Sequence, residues 1–403
     1  MSAYRSEPAA WPALPQQRNA AIDALRGLTF VVMVWVNELA GVSDISHWWK
    51  HMPAHADAMS FPDIVFPAFL FIVGLSIPFA LQRRLQAGDG PLPLARHIGE
   101  RTLALVLMGL FMVNAESGHH AESMALPIAG WSLLFFAAVV LVWGDWRGGS
   151  TLLRAALRAA GWALLLALAL LYRGGPEGRD GLAPQWWGIL GLIGWAYALA
   201  CVLYLAARGR LGVLIALTAA CTAFVVLDRL GPGGPVARAL LGQSAHAAHA
   251  SIVLCGVVCA LILHDERRAA PPQRRLLDAL AWALLLLIAG LALRPAFGIS
   301  KIHATPSWCL LCAAICVLLY LALHALVQAG RGGWMRLVEP AASNPLVTYL
   351  LPYVILAAMT LLGLSWPAAW RTGLGGMLAM AVYAALIVAA AGAIGRAGLR
   401  IRL

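Results

Sequence analysis

The strongest constraint in this sequence is the recurrence of apolar stretches of up to about 20 residues, the length an α-helix needs to cross the hydrocarbon core of a bilayer. Twelve are counted, at 24–40, 64–81, 102–114, 124–143, 152–172, 186–206, 211–227, 250–263, 277–293, 307–327, 345–363 and 374–395. Those at 102–114 and 250–263 are short, so eleven is the alternative count. Within hydrocarbon, each backbone N–H and C=O must find a partner inside the protein, and a helix supplies one. Composition agrees. The chain is 61% hydrophobic and 12% charged, against about 45–50% and about 25% in soluble domains, too few charges to clothe a water-facing surface. A cytosolic enzyme, a disordered chain and a fibrous repeat are thereby excluded. The expected fold is all-α: a polytopic membrane bundle of 11–12 transmembrane helices.

One membrane domain, 20–403, is expected after a short leader at 1–19, with no internal repeat and no appended soluble domain. The first apolar stretch does not read as a cleaved signal peptide, because some twenty residues precede it and no small-residue cleavage site follows. Gly/Pro clusters such as GPGGP at 231–235 mark turns between spans.

The formal charge of +11 would suggest nucleic acid in a soluble protein. Position gives a different reading. Assigned alternately to the two sides of the bilayer, 21 of the 29 Lys and Arg fall in one set of loops, from Arg5, Arg18 and Arg26 to Arg396, Arg400 and Arg402. The other 8 are Lys50, Arg173, Arg179, Arg229, Arg238, Arg294, Lys301 and Arg371. The positive-inside rule then places both termini in the cytoplasm, and no nucleic-acid partner is expected. The loops 41–62 and 115–123 become extracytoplasmic. They carry His47, His51, His55, Asp44 and Asp57 in the first, and Glu116, His119, His120 and Glu122 in the second.

All seven cysteines lie inside expected helices. Cys309, Cys312 and Cys316 share one helix face, but no histidine or acid joins them at ligand spacing, so they are read as small apolar packing residues and no metal is expected. His246 and His249, one turn apart, lack further ligands, and His324 reads as a hydrogen-bonded core residue.

Chemistry concentrates near the start of the chain. Asp23 and Arg26 stand at i, i+3 where the first helix begins, and Asn37 and Glu38 end it. A polar pair at that boundary should face protein or water. The loop that follows supplies His51, His55 and Asp57, and Asp63 stands at the mouth of the second helix. A histidine beside a carboxylate is the minimum for general-base chemistry, because the acid orients the ring and stabilises the imidazolium, and such a histidine can instead accept a transferred group itself. Either histidine and either aspartate satisfies this by spacing. Pro67 and Pro78 suggest that the second helix is distorted.

The segments IDALRG at 22–27 and PDIVFPAFLFIVGLSIPFAL at 62–81 resemble the heparan-α-glucosaminide N-acetyltransferase-like family of membrane acyltransferases, in bacterial form. The likeness is close over 18–82 and weaker over 295–353, where ISKIHATPSWCL and SNPLVTYLLP look like later family segments. It implies transfer of an acetyl group from cytoplasmic acetyl-CoA to an extracytoplasmic amino sugar or glycan, in a bacterial inner membrane. The family's active histidine lies in the loop after the first helix, on the side where the charge count puts His51 and His55. It stands between the spacings found here, twelve residues before Asp63 for His51 and eight for His55. The resemblance favours His51, as general base or as acceptor of the acetyl group itself. Asp57 or Asp63 would orient it. Asn37, Ser307 or Asn344 would donate to an oxyanion, Arg26 would meet the nucleotide phosphates, and Asp23, Glu38, Lys301 and His303 complete the binding candidates. A homodimer is admitted as the assembly. The competing readings are a secondary transporter or glycan exporter, and O-acetylation by the same machinery.

Overall fold

A computed structural model of the chain describes residues 11–15, 19–146, 150–231 and 243–403. Arg5, Arg18, Arg147, Arg238, most of the 1–19 leader and most of the GPGGP turn lie outside them. Among the described residues there are thirteen α-helices and no strand: α1 (Ala20–Leu39), α2 (Pro62–Gln86), α3 (Pro91–Glu116), α4 (Ile128–Trp143), α5 (Thr151–Leu171), α6 (Gly188–Ala206), α7 (Leu211–Arg229), α8 (Ser244–His264), α9 (Pro272–Phe297), α10 (Pro306–Gln328), α11 (Met335–Ser343), α12 (Pro345–Leu361) and α13 (Gly373–Arg396).

Twelve of these coincide with the twelve apolar stretches; the addition is the short α11. Ten are long and apolar enough to cross a bilayer, and an eleventh span is formed if α11 and α12, bent by 81°, are taken together. The chain is an integral membrane protein. Helix α4, at 16 residues, falls short of the usual span. The two segments that looked weak in sequence are not. α3 extends N-terminally through the charged run Arg96–Arg101, and α8 is a full 21-residue helix, nearly all of it buried.

Local chemistry explains the helix starts. The Asn19 side chain caps α1 by accepting from the N–H groups of Ala21 and Ile22, at 3.1 and 3.2 Å. Proline opens α2, α9, α10 and α12, where the missing N–H costs nothing. α2 remains one unbroken helix through Pro67 and Pro78.

The chain divides into two compact units. The first comprises Met1–Leu25, His51–Thr102 and Trp195–Gly332. In it α8 packs between α2 and α7, and α10 packs on α2, α8 and α9. The crossing of α2 and α8 depends on glycine. A Cβ on Gly74 would lie 1.9 Å from the Val253 carbonyl oxygen, and one on Gly256 would lie 2.2 Å from that of Phe71. Ring contacts Phe66–His249 and Phe79–His264 tie α2 to α8, and His249–Trp308 and His264–Tyr320 tie α8 to α10. These three helices therefore run parallel, with their N-termini at one end. The second unit comprises Arg26–Lys50, Leu103–Gly194 and Gly333–Leu403. There α4 packs on α5 and α12, and α13 packs on α11 and α12.

Candidate active site

At the N-terminal ends of α2 and α10, within the first unit, three side chains converge. The Nδ1 atom of His51 lies 2.7 Å from Oδ1 of Asp63, and the Nζ atom of Lys301 lies 3.2 Å from both ring nitrogens of His51. Asp63 is 1% exposed and the His51 side chain 40% exposed. A hidden carboxylate thus holds a ring that solvent and substrate can reach.

The fold around Asp63 keeps its charge in place. Its Oδ2 atom accepts from the Ser60 hydroxyl at 2.9 Å, the Ser60 N–H at 3.0 Å and the Met52 N–H at 3.2 Å. Ser60 and Asp63 form the reciprocal turn that starts a helix: the Asp63 N–H returns a bond to the Ser60 carbonyl. An acid at this position also complements the helix dipole. A carboxylate with three donors besides the ring is an acceptor, so His51 donates from Nδ1 and presents Nε2 as the basic nitrogen.

Lys301 is delivered by a tight loop between α9 and α10. Gly298 (φ 63°) and Ala304 (φ 47°) turn the backbone, and the Thr305 hydroxyl accepts from the Ser300 N–H at 3.0 Å. The Ser307 hydroxyl donates to the Gly298 carbonyl, and Arg229 donates to the His303 carbonyl. Burial pulls the Lys301 ammonium down to about 8, against the opposing pull of the Asp63 carboxylate. It therefore titrates close to neutral pH.

Asp57 does other work. Its Oδ1 atom accepts from the Ile299 N–H at 2.7 Å, and its Oδ2 atom is 3.1 Å from Arg294 Nε. The Ile299 N–H and the Arg294 guanidinium hold its carboxyl below the usual carboxylate range. Of the two aspartates open to the role, Asp63 holds the histidine and Asp57 fastens loop 51–60 to loop 298–305. His55 is exposed and its side chain makes no hydrogen bond or ion pair among the described residues.

The other candidates separate. Ser307 is fully buried and bonded to Gly298 and Thr305 rather than turned to the ring. His303 is exposed, held through its backbone. Asp23 lies half-buried in the first turn of α1. Arg26, Asn37, Glu38 and Asn344 belong to the second unit. There Glu38 Oε2 pairs with Arg371 Nη2 at 2.9 Å, Asn37 is exposed and Arg26 half-buried. Asn344 is buried at the α11–α12 bend. Its Nδ2 donates to the Leu399 carbonyl at 3.1 Å, so it ties the chain end instead of capping α12.

Two features were not read as pairs in the sequence. Arg294, counted only as a loop charge, is the partner of Asp57. At the opposite ends of α2, α8 and α10, His264 Nε2 lies 2.8 Å from the Tyr320 hydroxyl and 3.2 Å from Asn19 Nδ2, with the His324 ring 5.6 Å from that of His264. The i, i+4 spacing of Tyr320 and His324 was the available hint.

Residues 18–225 match the family described as a domain of unknown function, DUF5009. The human heparan-alpha-glucosaminide N-acetyltransferase is 34% identical over 110 residues, 27% of this chain and 16% of that protein. The mouse protein of the same name is 31% identical over 119 residues, 28% of this chain and 17% of that protein. The matched stretch thus spans about one-sixth of these relatives.

Proposed function

The chain belongs to the DUF5009 family, and from that premise we propose that it is a membrane acetyltransferase, moving an acetyl group from acetyl-CoA to an amino sugar or related glycan. The observation that carries the proposal is the Asp63–His51–Lys301 constellation, supported by the partial likeness to N-acetyltransferases. In this reading loop 41–62 is extracytoplasmic and both termini are cytoplasmic, as the 21 to 8 division of basic residues suggests, and the membrane is a bacterial inner membrane, as the bacterial form of the family motif implies.

Asp63 accepts the Nδ1 proton and fixes the tautomer, which leaves Nε2 as general base. An acceptor amine, its ammonium proton already given to solvent, attacks the thioester carbonyl. The N–C bond forms, His51 Nε2 takes a proton from the attacking nitrogen, and the C–S bond breaks. The departing thiolate then takes that proton from the imidazolium, whose charge Asp63 has stabilised. Lys301, as a cation, offsets the negative charge that develops on the carbonyl oxygen. A hydroxyl acceptor would follow the same steps and give an ester.

All three side chains come from one unit of one protomer, so the chemistry needs no second copy. Acetyl-CoA is the donor in this reading, as the partial likeness to N-acetyltransferases suggests. Purified protein should release CoA thiol from acetyl-CoA in the presence of glucosamine, without a sealed compartment. The transporter reading, favoured by the 81° bend between α11 and α12, requires vesicles and predicts no thiol release.

A further inference from the structure

On the first unit, α7 and α9 flank α8 and α10 and leave a groove of about 510 Å³ between them. Its floor is the buried set Thr218, Trp282, Leu286 and Leu310, and its rims carry small residues such as Ala219 and Ala289. The volume suits a small-molecule ligand, a class whose sites run roughly 300–1,000 Å³. The chemistry suits only hydrocarbon. The hydroxyls of Thr218 and Thr222 donate to the carbonyls of Leu214 and Thr218 in their own helix, and the Trp282 indole N–H faces the Cys255 carbonyl at 3.4 Å. A polar guest would find no partner there.

Two further observations identify the guest. The groove runs from Ile215 to Val226 on α7 and from Trp282 to Leu293 on α9, eleven helical steps in each case. At 1.5 Å per residue that is about 16 Å, close to one leaflet of a hydrocarbon core roughly 30 Å thick. Both helices are candidate spans that leave most of their length unburied, so the groove opens on lipid. The helix residues just beyond its upper end bond to the active-site loops. Arg294 follows Leu293 and holds Asp57, and Arg229, three residues beyond Val226, holds the His303 carbonyl two residues from Lys301.

We propose that this groove takes the hydrocarbon chain of a lipid-linked acceptor, whose sugar headgroup is thereby delivered to His51 and Lys301. The inference rests on the transferase reading and names its substrate class. A chain anchored in one leaflet reaches the site by lateral diffusion.

The test compares two acceptors with purified protein in detergent-free nanodiscs: glucosamine, and a glucosamine glycoside carrying a long alkyl chain. The wild type should show a kcat/KM at least tenfold higher for the alkyl glycoside. Ala219→Phe and Ala289→Phe should bring that ratio to about one, while Leu378→Phe on the exposed face of α13 should leave it unchanged. A long-chain diazirine lipid should label α7 or α9 in the wild type and lose that label in the two groove variants, whatever their activity. Equal kcat/KM for both acceptors in the wild type, or a ratio and labelling unmoved by the groove variants, would overturn the lipid-linked acceptor alone. Thiol release with neither acceptor would overturn the transferase reading and this inference with it.

Discussion

The three parallel helices α2, α8 and α10 carry a histidine cluster at each end, and the two are built from different chemistry. At the N-terminal end His51 is held by the buried Asp63 carboxylate, faces an ammonium and stands partly in solvent. At the C-terminal end His264 is held by a phenol and an amide, Tyr320 and Asn19. A carboxylate fixes the tautomer of the ring it orients and stabilises the charge the ring acquires in a proton transfer; a neutral partner offers geometry with no charge to offset. The first cluster is equipped to move a proton, whereas the second locks α8, α10 and the start of α1 together.

The largest effect that could break this contrast lies at His51. His51→Ala should reduce turnover by about 10³-fold, within the roughly 10²–10⁴-fold range of general acid–base groups, measured as thiol release from acetyl-CoA. Asp63→Asn should cost about 10²-fold through the wrong tautomer, with KM for acetyl-CoA nearly unchanged.

Lys301 sharpens the contrast through pH. Its ammonium is charged below about 8 and neutral above, so turnover should fall as pH rises through that value. Lys301→Arg should remove the falling limb and Lys301→Met should lower turnover about tenfold without one. The sign for stability is opposite. The folded chain gives up this proton before the unfolded chain does, so the group's contribution to stability rises from about pH 8 toward the ordinary lysine range near 10.4.

Smaller effects belong to the other end. Tyr320→Phe should lower stability by about 1 kcal/mol, the usual worth of a buried hydrogen bond, and change turnover by less than about threefold. His55→Ala should be indistinguishable from the wild type in both thiol release and melting temperature, since its side chain holds nothing among the described residues.

Much of the fold was legible because bilayer thickness imposes a length and a composition that any reader can count. Helix α3 looked short because Arg96, Glu100 and Arg101 interrupt its apolar run, yet a helix continues past charges wherever they reach water. Helix α8 looked weak because histidines and small residues dilute its hydropathy, but those small residues let α2 approach at Gly256 and make it the most buried of the spans. The bend at Asn344 was hidden because Asn–Pro reads equally as a cap or a break.

The site was legible in type and not in pairing. Spacing along a loop allows His51 or His55 to meet Asp57 or Asp63; the choice is made by loop 298–305, some 240 residues later. That loop takes Asp57 for Ile299 and Arg294 and returns Lys301 to the ring of His51. Long-range loop docking leaves no periodicity to read.

The central claim, that His51 oriented by Asp63 is the base of an acetyl transfer, is tested most directly by thiol release from acetyl-CoA with glucosamine, comparing wild type, His51→Ala and His55→Ala. Turnover by the wild type and by His55→Ala, with about a 10³-fold loss in His51→Ala, is the predicted result. Wild-type turnover by His51→Ala would contradict it.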